Sequence, residues 1–202
     1  MLESQKIFLV NAVLNYFSKL CPITSGFIKK IEKNVEPLQI MKNKHILSPI
    51  DNNNRIFFVA SGLVRGFIKE SNKEITTWIS VGNEFVGAIQ YPGAPPKPSI
   101  EYLQALSNSE LVAIPYLLID ELYANYPETN VIWRKILELQ YHAASERSML
   151  ARIPSAERRY EKFMELNSFD VSQVPLRCVA TYLGMRFETL SRIRSKMVKL
   201  PV

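Results

Sequence analysis

The chain has 202 residues, which suits one large domain or two small ones of about 100 to 200 residues each. Its 47% apolar and 22% charged residues are typical of a globular protein and exclude the disordered and fibrous classes. Most of the net charge of +6 lies near the end, because residues 1–151 carry a balance of +1 and residues 152–202 a balance of +5. This asymmetry predicts an anionic partner such as nucleic acid for the C-terminal part, with a solvated basic face as the alternative.

The N-terminal segment has the spacing of amphipathic helices. Ile7, Val10, Leu14 and Phe17 recur every three or four residues, and Pro22 predicts a break before the next helix. We therefore expect two short helices here. The segment lacks a signal peptide, and no apolar run is long enough to span a membrane, so a cytoplasmic protein without membrane contact is expected.

Short β-rich runs separated by turn signals follow from residue 38. Many short strands at close spacing are typical of a small antiparallel barrel or sandwich. The proline-rich stretch 91–98 is expected to form an exposed loop. The predicted strands are Leu38–Ile40, His45–Leu47, Arg55–Ala60, Leu63–Lys69, Ile75–Ser80, Ile100–Ala105 and Glu110–Ile114.

Helical patterns return after the last strand. Helices are predicted over Leu117–Asn125, Glu128–Arg152 and, from the N-cap Ser155, to Leu166. The long central helix carries an apolar stripe that could pair with a second copy of the chain, or could pack on the chain's own barrel. The stripe predicted for dimerisation consists of Ile132, Ile136, Leu139, Ala143 and Leu150.

The segment from Pro175 to Ile193 matches a helix-turn-helix at several fixed positions. Ala180 is small enough for a second helix to approach, and Gly184 can adopt the positive φ of a sharp turn. Together with Ala180, the apolar side chains expected to face the core are Val179, Leu183, Met185, Leu190 and Ile193.

The second helix of this unit would present side chains suited to DNA. Arg192 can bind guanine, Glu188 can accept from cytosine, and Arg177 can contact phosphate. A helical hairpin in which Glu188 and Arg192 form an ion pair in solvent is the alternative. The predicted DNA-binding residues are Arg177, Arg186, Phe187, Glu188, Thr189, Ser191, Arg192, Arg194 and Lys196.

Three segments carry a family resemblance. The run 188–193, ETLSRI, is similar to the recognition-helix signature of the Crp/Fnr transcription regulators. Residues 56–65, IFFVASGLVR, resemble a strand and glycine turn of the family barrel, and residues 82–87 resemble the approach to its ligand cassette.

The resemblance implies an α+β fold with three parts. An N-terminal antiparallel β-barrel of the jelly-roll, cyclic-nucleotide-binding-like type would cover residues 1–126, and a dimerisation helix residues 127–152. An all-α helix-turn-helix domain would cover residues 153–202 and lack the usual β-hairpin wing, because the sequence ends at Val202. Lys196 and Lys199 are expected to replace part of the lost phosphate contacts.

The sequence departs from the family pattern at the ligand cassette. Ala88 follows Gly87 where cyclic-nucleotide-binding members have a glutamate, and Ser99, Ile100 and Glu101 occupy the positions of arginine, serine or threonine, and alanine. Both polar anchors for a cyclic nucleotide are therefore missing, and cyclic AMP is not the expected effector. The ligand of this degenerate cassette is unknown.

A further departure concerns DNA readout. Phe187 stands where cyclic-AMP-responsive members have an arginine. Phenylalanine cannot bind guanine but could touch a thymine methyl, so a different base pair is expected at that position of the operator.

No cofactor, metal or enzyme activity is predicted. Cys21 and Cys178 are too few for a cluster and are expected to be buried and reduced, while His45 and His142 lack a second ligand. The residues suggest neither a catalytic triad nor a phosphate-binding glycine loop.

These observations predict a homodimeric, sequence-specific DNA-binding regulator. Two recognition helices would lie about 34 Å apart on a near-palindromic operator, and RNA polymerase is a candidate partner. A ligand-sensing or protein-interaction module whose helix-turn-helix does not bind DNA is the alternative.

Overall fold

The computed structural model describes residues 1–51, 54–87, 99–167 and 170–199. The predicted proline-rich loop over 91–98 and the position of Ala88 lie outside these residues. The helices described are α1 (Glu3–Leu20), α2 (Ser25–Asn34), α3 (Tyr116–Asn125), α4 (Glu128–Arg152), α5 (Ala156–Leu166), α6 (Leu176–Tyr182) and α7 (Phe187–Lys199). The strands described are β1 (Glu36–Ile40), β2 (His45–Leu47), β3 (Arg55–Ser61), β4 (Leu63–Glu70), β5 (Lys73–Val81), β6 (Glu84–Val86), β7 (Tyr102–Ala105) and β8 (Ser109–Pro115).

The predicted barrel takes the form of two four-stranded antiparallel sheets. Their strand orders are β1-β8-β3-β6 and β2-β7-β4-β5, and the non-consecutive neighbours are typical of a jelly roll. Gly62, with φ +101°, turns the chain from β3 into β4, where a Cβ would come within 2.3 Å of Ser109 Oγ. The α+β architecture predicted from the sequence is confirmed.

Strand β6 was not predicted. Its residues 84–86 are too few to display alternation, and glycines at positions 82 and 87 bracket them. The strand instead depends on pairing with β3, where Phe58 lies opposite Phe85.

Helix α1 packs on the first sheet with α2 beside it, but α1 is not short and its buried face matches the predicted stripe only in part. It has 18 residues, and its buried side chains are Leu9, Val13, Leu14 and Phe17. Ile7 is 57% exposed, so the predicted stripe was wrong at that position. A stripe with a spacing of four residues, through Leu9, Val13 and Phe17, meets the aromatic side chains of the sheet instead.

Helix α4 has the predicted bounds, but its predicted dimerisation stripe faces the chain's own domains. Ile132 and Ile136 are buried in the core beneath α1, and Leu150 is buried in the core of the C-terminal domain. Leu139 and Ala143 line a cavity beside the sheets. The prediction was therefore wrong for Ile132, Ile136 and Leu150, which stabilise the monomer as the alternative held. For Leu139, which is 56% exposed, and Ala143, which is half-buried, it stays a prediction.

The C-terminal domain shares its core with the barrel. Leu63 and Leu106 of the sheets pack in one cluster with helices α5, α6 and α7. At the same junction the Thr76 amide donates to Thr181 Oγ1 at 3.2 Å, and the two threonine hydroxyl oxygens lie 3.1 Å apart. The buried guanidinium of Arg65 donates to Thr76 Oγ1 at 3.3 Å. The contact therefore joins β5 to the first helix of the helix-turn-helix.

Across the described residues, no helix has the length and apolar character needed to cross a bilayer.

Candidate nucleic-acid interface

Helices α6 and α7 form the predicted helix-turn-helix. Gly184 adopts φ +61° between them, the left-handed conformation expected of the turn glycine. Met185 is half-buried and packs against the domain core. The other predicted core residues, Val179, Ala180, Leu183, Leu190 and Ile193, are all buried. The motif is therefore confirmed as a packed structural unit.

The predicted DNA-binding residues lie on the outer side of this unit. Thr189 and Ser191 are half-buried at the edge of the packed face. The exposed residues are Arg177, Arg186, Phe187, Glu188, Arg192, Arg194 and Lys196. The side chain of Lys199 lies outside the described part of the chain, and so do residues 200–202. The expected absence of a wing therefore stays a prediction.

The cations of this surface are not neutralised within the described residues. Ion pairs are found elsewhere on the chain, as between Arg158 and Glu161 on α5, but none involves a cation of α6 or α7. The ion pair between Glu188 and Arg192 that the alternative required does not form in the described structure. Five exposed cations therefore stand beside a single carboxylate, which favours contact with a polyanion.

Arg177 and Phe187 come together at the N-termini of the two helices. The guanidinium carbon of Arg177 lies 5.8 Å from the centre of the Phe187 ring. The sequence predicted separate roles for these residues, phosphate contact for Arg177 and thymine contact for Phe187. This distance is at the outer limit of a cation–π contact, and both side chains are exposed, so Phe187 lies beside the Arg177 guanidinium without fixing its orientation.

Ser195 belongs to the same outer face but was not predicted. It lies three residues after Arg192 and seven after Glu188, which places all three on one side of α7. Its hydroxyl donates to the Ser191 carbonyl at 3.0 Å, as serines in helices often do. The helical spacing itself could have identified this residue.

Helix α4 presents a second outward face that the sequence reasoning missed. Leu137, Tyr141, Ala144 and Ser148 are all exposed and recur at spacings of four, three and four residues. This is the pattern of a coiled-coil seam, with small residues toward its C-terminal end. We call these four residues the outer seam. It lies opposite the buried stripe that was predicted to pair.

The degenerate ligand cassette lies partly at the cavity beside α4. Gly87 and Glu101 line this cavity, whereas Ile100 is exposed. Ser99 Oγ instead accepts a hydrogen bond from the Glu101 amide at 3.0 Å. Of the cassette positions that are described, Gly87 and Glu101 therefore reach the cavity, whereas Ser99 and Ile100 do not line it.

The cysteines and histidines have ordinary environments. Cys178 is buried as predicted, and burial raises the pKa of its thiol, whereas Cys21 is only half-buried. His45 and His142 are exposed, and His142 Nδ1 lies 3.6 Å from Glu146 Oε2. The described residues contain no group of three or more potential metal ligands. The prediction that the protein has no cofactor stays a prediction.

The fold of two four-stranded sheets, a long helix and a helix-turn-helix is similar to that of a Crp/Fnr-family protein from Eubacterium rectale. The TM-score is 0.68, with 16% identity over 92% of this chain and 88% of that one. The chain is 23% identical over 180 residues to the anaerobic regulatory protein of Haemophilus influenzae, covering 81% of this chain and 67% of that protein. No protein-family model matches the sequence.

Solved structures confirm the resemblance at the level of the fold. FixK2 from Bradyrhizobium japonicum superposes with a TM-score of 0.68 and 15% identity, over 81% of this chain and 84% of that one. The c-di-GMP-responsive regulator CLP of Xanthomonas campestris has the same TM-score of 0.68 with 17% identity, over 87% of this chain and 92% of that one. The relatives compared are regulators rather than enzymes, and they do not favour the alternative of an interaction module.

Proposed function

We propose that this chain is a sequence-specific DNA-binding transcription regulator that acts as a homodimer. The observation that carries the proposal is the outer face of the helix-turn-helix. Its cations have no ion pair within the described part of the chain, and the opposite face of α7 is buried. The relation to named regulators supports the same function.

The residues of α7 divide into two kinds of DNA contact. Glu188, Ser191 and Arg192 occupy the first turns of the helix, the part that approaches base edges when a recognition helix enters the major groove. Arg177, at the start of α6, is suited to a phosphate contact because its cationic side chain is exposed at the N-terminal end of the helix. We expect α7 to read sequence and Arg177 to set its position.

The dimer would form along the outer seam of α4 instead of the stripe predicted from the sequence. Leu137 is 48% exposed and Tyr141 is 76% exposed, although both are large side chains on a helix whose other face is packed. A second copy placed against the seam would bury them and match the coiled-coil spacing. An RNA polymerase contact stays a prediction, since no described surface points to one.

Selection of bound duplexes from a random pool, at near-physiological salt, tests the proposal. We expect enrichment of a near-palindrome whose half-sites lie about one helical turn apart. Enrichment of single half-sites would overturn the proposal that the chain binds as a homodimer but would support DNA binding. A pool that stays unenriched, with no retention of any duplex, would overturn the DNA-binding function and favour the interaction module.

A further inference from the structure

A cavity lies between the sheets, the long helix and the C-terminal domain. Its volume is about 650 Å³, and it is bounded by described residues of all three parts. The sheets contribute Trp78 and Glu84, α4 contributes Leu139 and Gln140, and the C-terminal domain contributes Tyr182. A cavity of this size can hold a small organic molecule, since ligand pockets typically measure about 300 to 1,000 Å³.

Carboxylates dominate the charge of the cavity. Among the described residues, Glu84, Glu101 and Glu146 line it together with one cation, Arg147. The Glu84 carboxylate accepts a hydrogen bond from the Ser80 hydroxyl. Burial raises the pKa of the Glu84 carboxyl, against the smaller opposing effects of Ser80 and Arg147. The charge is therefore incompletely balanced, and a cation entering the cavity would stabilise it.

A second carboxylate is held in place on the sheet side. Glu101 accepts a hydrogen bond from the Thr77 hydroxyl, and its amide donates to Ser99 Oγ at 3.0 Å. An anionic ligand would have to enter beside two hydrogen-bonded carboxylates, opposed by Arg147 as the one cation among the described lining residues. Burying a negative charge in that setting is unfavourable.

The remaining walls are aromatic and aliphatic. Trp78, Phe85, Tyr16 and Tyr182 supply ring surfaces, and Ile136 lies on the helix side. The indole of Trp78 is seated over Gly66, where a Cβ would come within 2.3 Å of it, so the ring position depends on that glycine. Apolar walls with a few carboxylates suit a ligand that combines a hydrophobic body with a positive charge.

We propose that this cavity binds a small organic amine, a protonated ammonium on an aromatic or aliphatic body, and excludes cyclic nucleotides. The ammonium would lie between Glu84 and Glu101, and the body against Trp78 and Phe85. The inference deepens the proposed function, on which its regulatory part rests, because Tyr182 ends the first helix of the helix-turn-helix. A bound ligand would therefore affect the junction at which Thr181 accepts a hydrogen bond from the Thr76 amide of β5.

Calorimetric titration of the full chain with matched pairs of compounds tests the proposal. The amines are phenethylamine and tryptamine, and their controls are 3-phenylpropionate and indole-3-propionate, which keep the ring but reverse the charge; cyclic AMP is titrated as well. We expect saturable binding of at least one amine and none of the carboxylates or of cyclic AMP. Binding of neither amine, or equal binding of an amine and its carboxylate control, would overturn the proposal.

Two variants locate the site. Glu84→Gln and Glu101→Gln should each weaken amine binding at least about tenfold, because each removes a charge but keeps a similar shape. Glu157→Gln, on the exposed first turn of α5, is the matched control and should bind as the parent does. Retained affinity in both cavity variants, with thermal melting showing that they are folded, would contradict the proposed site.

The titration contains no DNA, so the two proposals fail separately. Amine binding by a chain that retains no duplex would overturn the regulator and leave the cavity assignment intact. Duplex binding by a chain that binds neither amine would overturn the cavity assignment and leave the proposed regulator intact.

Discussion

Helices α4 and α7 each bury one face in their own domain and leave the other face exposed, but the exposed faces have different chemistry. The outer seam of α4 is uncharged, with Leu137 and Tyr141 followed by small residues. The outer face of α7 carries Arg192 and Lys196, without ion pairs among the described residues. An uncharged seam suits a second copy of the same helix, whereas a cationic face suits DNA. Helical spacing thus locates both faces, and the charge on each indicates its partner.

The largest effect is expected from a charge placed in the outer seam. Leu137→Asp would put two carboxylates against each other in the dimer, so we expect a monomer in sedimentation velocity. Affinity for a two-half-site duplex should fall on the order of 100-fold, because the second half-site no longer binds as part of the same particle.

Met149→Asp is the matched control for this change. Met149 is 62% exposed on the same helix but off the seam, so its variant should remain a dimer. Dissociation of the Met149 variant, or a Leu137 variant that stays dimeric, would show that the seam is not the interface.

A smaller and position-specific effect is expected on α7. Arg192→Ala should cost about 1 to 3 kcal/mol on the best duplex and relax the preference at one base pair. Competition titrations with single-base-pair variants of the selected duplex measure this directly. Equal weakening on every variant duplex would exclude base readout by Arg192.

Arg177→Ala should act differently although it removes the same charge. We expect a similar loss of affinity for all sequences and a decrease of roughly one in the slope of log affinity against log salt. Titration at several salt concentrations separates the two arginines. A changed base preference in the Arg177 variant would show that Arg177 contacts base edges and not only phosphate.

The smallest effect concerns the pH dependence of stability at Glu84, whose side chain is accessible from the cavity but partly desolvated. The pKa of Glu84 is raised in the folded chain, so folding favours the protonated carboxyl. The contribution of Glu84 to the stability of the protein is therefore lost as the pH rises from the ordinary pKa of a glutamate through the raised one. Glu84→Gln should therefore melt at a higher temperature than the parent at neutral pH. The difference in melting temperature should shrink below the ordinary pKa of a glutamate, which melting curves at several pH values measure. A difference that is the same at every pH would show that desolvation of Glu84 is not the cause.

Much of the fold could be predicted because its elements carry local signals. Pro127 and Pro154 flank α4, and Ser155 accepts a hydrogen bond from the Arg158 amide at 3.3 Å, as expected of an N-cap. Gly184 likewise marked the turn of the helix-turn-helix through its conformation. Strand β6 had no such signal, because a three-residue strand is defined by its neighbour.

The functional faces were predicted less completely for a physical reason. Periodicity identifies an apolar stripe but not the surface that covers it, so Ile132 and Ile136 could equally face a partner or their own core. The cavity was not predicted at all, since Glu84, Leu139 and Tyr182 are brought together only by tertiary packing. Only Gly87 and Glu101, noted from the cassette, pointed toward it.

In the proposed regulator, α7 recognises the DNA sequence and α4 forms the dimer. Duplex selection carried out in parallel with the parent chain and the Leu137→Asp variant is the most direct test of this division of roles. We expect the parent to enrich a near-palindrome and the variant to enrich the same half-site singly, because α7 reads the sequence and the seam of α4 sets the pairing. A palindrome that persists in the monomeric variant, or a half-site that changes, would contradict this division.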